Sequence, residues 1–453
     1  MKIGIRSKNV LIGNEVKDAC VIIENEKISD LFYPDSINDS EPENSFEIID
    51  YGDLVIMPSL IDTHVHINEP GREEWEGFET VTKAAAAGGI TMLVDMPLNS
   101  EPVTTDRKSL DQKINSATGK LYIDVGFYGG AVPENVSELS LLYRCGVLGF
   151  KSFMIDSGLE EFRHVTENDL ENILKELDPA KDVPLLVHAE TNCGFDEKKY
   201  LSDHSYSSFL NTRPREWENK AIEILIRLSK KYDRYIHIVH LSSSDALDMI
   251  RQAKSDGIKI TVETCPHYLY FNSENILDSD TRFKCTPPIR ENENREKLWE
   301  AFEDGTIDLI VSDHSPCTDK LKCTEAGNFK TAWGGISSIQ LGLSVIWTEA
   351  FARGMSLNGV SKLMSVNPAK LIGMENRKGK IEIGMDADII VFDPERKFTV
   401  DCKKLYHKNK LTPYDGEELQ GEVIATYLRG NKIYDNGNIS DHPKGKVIFR
   451  KTT

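Results

Sequence analysis

Over residues 1–55 apolar and polar positions alternate in short segments such as "VIIENEKI" and "FEIIDYGDLVIMP", with turn residues between them. A period of two predicts strands with one face buried, so this stretch reads as β-rich. From residue 56 the pattern changes. Short apolar runs, "PSLIDTHVHI", "GITMLVDMP", "IDVGFYGG", "GVLGFKSFM", "VPLLVHAE", "YIHIVHLSS", "KITVETCPHYL" and "IDLIVSDHS", are separated by longer stretches with helical character. Eight apolar strands alternating with helices predict an α/β fold, a parallel (β/α)8 barrel over residues 56–373. In "FETVTKAAAAGG" the alanines favour a helix, and Gly88 and Gly89 are expected to stop it in a left-handed turn. After "VNPAKLIG" the text becomes β-like again in "GKIEIGMDADIIVFDP" and "GEVIATYLRGNKIYDNG". Residues 1–55 plus 374–453 are therefore expected to build one small β domain, although two separate β pieces would read alike. The polar, turn-rich stretch 34–45 reads as a surface loop.

Charge and cysteine content narrow the partners. The 453-residue chain carries a formal net charge of −19, which repels phosphates and anionic lipid, so neither nucleic acid nor a membrane surface is an expected partner and a small molecule is. The eight cysteines are scattered without a dense framework, as suits reduced thiols in a cytoplasmic protein. Cys317 and Cys323 have no second close pair to make a zinc knuckle. No apolar run approaches the ~20 residues of a membrane span, and "MKIGIRSKNVLIGNEVKDA" lacks the apolar segment of a signal peptide.

Enzymes built on such barrels place their chemistry at the C-terminal ends of the strands. There the first run offers His64 and His66, the fourth Lys151, the fifth His188, the sixth His240 and the eighth Asp313. Residues i and i+2 of a strand point the same way, so His64 and His66 can grip one cation. A lone histidine at a strand end is usually structural; four of them with an aspartate on different strand ends favour a metal centre. His237 is expected to face away from His240, and His164, His204, His407 and His442 to be surface or packing residues. His267, at the end of the seventh run, is expected either to line the pocket or to hydrogen-bond behind it, and His314 to point away from Asp313. Lys151 has two readings: a lysine snorkelling from a strand end, or an amine that has reacted with CO2. The resulting carbamate is an anion able to bridge two cations ~3.5–4 Å apart.

The segments "DTHVHINEPG", "GFKSFM", "VHAE", "VHLSS", "TPPIR" and "SDHSP", in this order between about Pro58 and Asp393, resemble the cyclic amidohydrolases, which include dihydroorotases, hydantoinases or dihydropyrimidinases, and allantoinases. The longer string "HINEPGREEWEGFETVTKAAAAGGITMLVDMPLNS" is similar to the allantoinase branch. Dihydroorotases carry Arg where this chain has Asn68; a guanidinium clamps a carboxylate, whereas an amide suits a neutral, ureido-bearing ring. The resemblance implies a distorted TIM barrel beside a small β-sandwich made from both termini. It also implies two divalent metal ions, Zn first and Mn, Fe, Co or Ni as alternatives. His64 and His66 would hold the more buried ion with Asp313, His188 and His240 the more exposed one, and Lys151, as N6-carboxylysine, would bridge them. The implied reaction is opening of the hydantoin ring of allantoin to allantoate by a metal-bridging hydroxide, with Asp313 as general base and then acid. Asn68, the Thr286 backbone and Ser315 are the candidates for substrate contacts, and a homotetramer is the implied assembly. "KSFMIDSG" lacks the Tyr that hydantoinases place after the lysine, which argues against the rival hydantoinase-type activity. Non-catalytic scaffold relatives lose metal ligands, whereas all six positions are filled here.

Overall fold

The computed structural model describes residues 2–34, 46–177, 180, 183–194 and 202–450. Apart from Pro34, the polar stretch 34–45 lies outside the described residues. Barrel strands form within each predicted run: Leu60–Val65, Ile90–Asp95, Asp124–Phe127, Phe150–Phe153, Leu185–His188, Ile236–Ile238, Ile260–Thr264 and Leu309–Ile310. Neighbours pair in parallel within two arcs, one of the first three strands and one from the fourth to the eighth. Such runs are apolar throughout because helices and side chains cover both faces.

The two seams explain the barrel's distortion. At one, the short strand Gly129–Gly130, just beyond Asp124–Phe127, pairs with Phe150 and Lys151. At the other, Leu309–Ile310 is only two residues long, and the chain turns at Asp313 with φ of 44°. There the barrel closes through a bridge from Val65 to His314 and through the Asp62 carboxylate, which accepts the Ser312 N–H at 3.1 Å and the His64 N–H at 3.1 Å.

Phe78–Ala87 is helical as predicted. Only Gly89 takes the left-handed turn, at φ 83°; Gly88 has φ −84° and is needed for space, since a Cβ there would stand 2.8 Å from the Ile339 carbonyl oxygen. The seventh strand also ends earlier than its apolar text suggests. Pro266 opens a helical turn, Pro266–Tyr270, so His267 sits on that turn and not on the strand.

Strands from both chain ends join in one sheet of nine, including Lys2–Ile12, Glu15–Glu24, Val55–Pro58, Ile389–Thr399 and Glu418–Leu428. Val55–Pro58 lies between Lys2–Ile12, to which it is parallel, and Ile389–Thr399, to which it is antiparallel, before the chain enters the barrel at Leu60. The sheet buries Ile5, Val21, Ile56, Ile389, Val391 and Tyr427 in a core of its own. Val447, further on, bridges instead to Val125 of the barrel. Among the described residues no helix is long and apolar enough to cross a membrane.

Candidate active site

The barrel strands bring the six expected metal ligands to one mouth. His64 Nε2 lies 3.2 Å and His66 Nε2 3.6 Å from Asp313 Oδ1, so these three side chains offer a common point for a cation. The His64 and His240 rings are 5.4 Å apart and the His188 and His240 rings 4.6 Å. Lys151, from the next strand to His188, is fully buried, and its Nζ has no hydrogen-bond partner. Burial pushes its ammonium down to about 8 against the pull of Glu263 and Asp313. Its charge in turn disfavours protonation of His64, His188 and His240, three imidazoles that burial already keeps neutral. Neutral imidazole is the ligating form. His240 and Asp313 both have positive φ, 37° and 44°, a conformation rare outside glycine that bends the strand ends into the mouth.

Three of the four histidines, His64, His188 and His66, are oriented from behind. Glu263 places Oε1 2.5 Å from His64 Nδ1 and Oε2 2.9 Å from His237 Nε2. His237 Nδ1 is 2.8 Å from Thr261 Oγ1. The His188 Nε2 atom is 2.6 Å from Glu190, whose carboxylate also accepts from Arg213 at 2.7 Å. Burial opposes the charge on Glu190, but Arg213 and His188 outweigh it and hold the carboxyl at about 2. The Asn99 amide meets His66 Nδ1 at 3.0 Å and leaves Nε2 facing Asp313. Such partners fix the ring orientation and tautomer of a ligating histidine.

The mouth opens into a cavity of about 580 Å³. Thr286 and Ser315 line it, as do four of the candidate histidines and Asp313. Asn68 does not: it is buried behind the wall with its Nδ2 3.4 Å from the Pro316 carbonyl, and Asn99 is the asparagine that lines the cavity. His267 is buried with neither ring nitrogen hydrogen-bonded, and lies with Cys265 beside Asp313. His314 points away from Asp313, as expected; its Nδ1 accepts the Ser338 N–H at 3.1 Å. His164, His204 and His442 are exposed and His407 is buried. The eight cysteines are unpaired, and among the described residues Cys317 and Cys323 share no cluster of potential metal ligands.

Glu263, Glu190 and Asn99 are absent from the residues singled out in the sequence, and His237 was named there only as facing away from His240. Two of them had a signal. Glu190 follows His188 by two, the same spacing that linked His64 to His66, and Glu263 is a carboxylate inside an otherwise apolar barrel strand. Asn99 and the role of His237 depend on which strands become neighbours.

Residues 55–433 match the model of the amidohydrolase family. The chain is 45% identical over 447 residues to an allantoinase of Streptomyces avermitilis, covering 99% of this chain and 98% of that one. It is 40% identical over 456 residues to an allantoinase of Saccharomyces cerevisiae, covering 98% of each. Among solved structures, an L-hydantoinase (dihydropyrimidinase) from Arthrobacter aurescens superposes with a TM-score of 0.91 at 27% identity over 99% of both chains.

Proposed function

Since the chain belongs to the amidohydrolase family, we propose that it hydrolyses the hydantoin ring of allantoin to allantoate at a pair of divalent metal ions. Full-length identity to allantoinases of 40–45%, against 27% to the hydantoinase, favours allantoin over other cyclic ureides. The observation that carries the metal reading is Lys151: a buried amine without a hydrogen-bond partner, close enough to His64, His188, His240 and Asp313 to act on their charge or feel it. As an ammonium it would repel cations. The neutral amine adds to CO2 and loses a proton, giving a carbamate anion with two oxygens for two ions.

In this reading His64, His66 and Asp313 would hold one ion and His188 and His240 the other, with carboxylated Lys151 available to both. Imidazole, carboxylate and carbamate donors suit Zn, and also Mn, Fe, Co or Ni. When bound, the ions supply a Lewis acid for the ring carbonyl and acidify the attacking water. Asp313 takes the proton of that water and hands it to the ring nitrogen as the C–N bond breaks, so one carboxylate serves as base and then as acid. Glu263 and Glu190 hold the His64 and His188 rings still during this transfer, and Thr286 and Ser315 form the wall against which the ring lies.

Allantoin turnover and metal content measured on one sample test the proposal, with hydantoin and dihydrouracil as competing substrates. Turnover of allantoin with about two ions per chain is expected. Faster turnover of hydantoin or dihydrouracil would transfer the assignment to a hydantoinase-type reaction, and metal-free protein with full activity would end it.

A further inference from the structure

Behind the part of the cavity wall formed by Thr286 and residues 332–334, a buried lysine is bonded in an unusual way. Lys322 is 3% exposed and forms no ion pair among the described residues. Its Nζ donates to the carbonyl oxygens of Lys284 at 2.8 Å, of Trp333 at 3.1 Å and of Gly335. Three donors meet three acceptors, so the ammonium is saturated without an anion. A second lysine extends the arrangement: Lys284 Nζ donates to the Ala332 carbonyl at 2.5 Å, and the Lys284 carbonyl also accepts the Gly335 N–H at 2.9 Å.

These bonds lace together two segments that wall the cavity, one leading to Thr286 and the other running from Ala332 to Gly334. A third is pressed against them. Ser315 N–H donates to the Ile336 carbonyl at 3.0 Å, and a Cβ on Gly335 would come within 2.3 Å of the Ser315 oxygen. Carbonyl oxygens converging on one point repel each other unless a cation sits among them, and burying an ammonium without an anion is itself costly. Burial pushes Lys322 down to about 8 and Lys284 to about 7. A methionine would fill the same space without that cost, but could not gather the carbonyls.

We propose that Lys322 is a positioning residue for ring opening, its ammonium standing where an inorganic cation would otherwise be needed and fixing the wall from Thr286 to Gly335 against which the substrate is held. The inference rests on the reading of this cavity as the allantoin site.

The test compares metal-loaded wild type, Lys322→Met and Lys322→Arg by steady-state kinetics on allantoin, metal content, and hydrogen exchange of the segment 330–337. For Lys322→Met we expect KM to rise roughly tenfold or more with kcat changed far less, metal content intact and exchange of 330–337 faster. Lys322→Arg keeps the charge but spreads its donors, so it should show the same direction of change; it carries the test if the Met variant does not fold. Unchanged KM and exchange, or loss of metal with KM unchanged, would overturn the proposal. If wild type leaves allantoin untouched the substrate assignment fails, and exchange of 330–337 then decides on the clamp alone, with unchanged exchange in the variant refuting it.

Discussion

Glu263 joins two histidines from different strands: one carboxylate oxygen lies 2.5 Å from His64 Nδ1 and the other 2.9 Å from His237 Nε2. His64 thereby keeps its Nε2 free, 3.2 Å from Asp313. Glu263→Gln retains the shape but removes the charge that makes the ring a better donor. The variant should fold, and its metal affinity should fall by about 10–100-fold, measured by competition with a chelator of known strength. Unchanged affinity would reduce Glu263 to a packing residue.

The barrel strands, the four histidines and Asp313 were legible because each signal is local. A strand is written in its own apolar text, and an i, i+2 pair shares a face by covalent geometry alone. Asn68 shows where local reading ends. Its place in "HINEPG" marks a chemical difference from carboxylate-binding relatives, but its φ of 68° and the fold of the turn carry the side chain behind the wall, while Asn99 from the next strand's loop reaches His66. His237 was read from its own strand alone, whereas its contact with Glu263 comes from the neighbouring strand, a relationship set by strand order rather than by spacing. The Lys322 clamp was hidden altogether, since its partners are backbone carbonyls, which every residue has.

Lys151 offers the sharpest chemical test of the metal bridge. Lys151→Ala removes both the amine and the carbamate it would form, so metal content and turnover should fall together. Short carboxylic acids added with metal should restore part of the turnover by supplying the missing bridging oxygens. Full metal occupancy in Lys151→Ala would remove the bridging role.

Asp313→Asn separates the proton shuttle from the frame. The amide keeps the geometry at the strand end but cannot accept and return a proton, so at saturating metal kcat should drop by about 10²–10⁴-fold. A kcat close to wild type with metal bound would show that another group moves the proton.

At the opposite end of the barrel, Lys378 tests stability apart from chemistry. Its buried Nζ is 2.5 Å from Asp388, 3.0 Å from Asp124 and 3.2 Å from Asp386, and Arg429 also pairs with Asp124. Asp124 starts a barrel strand, whereas Asp386 and Asp388 immediately precede the sheet strand Ile389–Thr399, so the lysine ties the two sheets together. Lys378→Met would leave the buried Asp388 carboxylate without an ion pair, since Asp124 keeps Arg429 and Asp386 keeps Lys27 and Arg377, at a cost of about 3–5 kcal/mol, read as a lower thermal midpoint. Burial disfavours the ammonium, but Asp388, Asp124 and Asp386 outweigh it and raise its pKa above 10.5. Its contribution is therefore fully present below the unfolded value and is lost only as pH rises through the higher folded one, whereas in the variant the stranded Asp388, whose carboxyl burial pushes up, is relieved by taking up a proton, so the gap between wild type and variant should be smaller at about pH 6 than at pH 8. Adding Asp388→Asn to Lys378→Met removes the stranded charge and should recover part of the loss, because deleting both partners of a buried pair costs less than deleting one. Metal content should stay at the wild-type level in both variants, since the six candidate ligands stand at the other ends of the strands. A double variant no more stable than Lys378→Met would mean that the lysine acts through packing and not through charge.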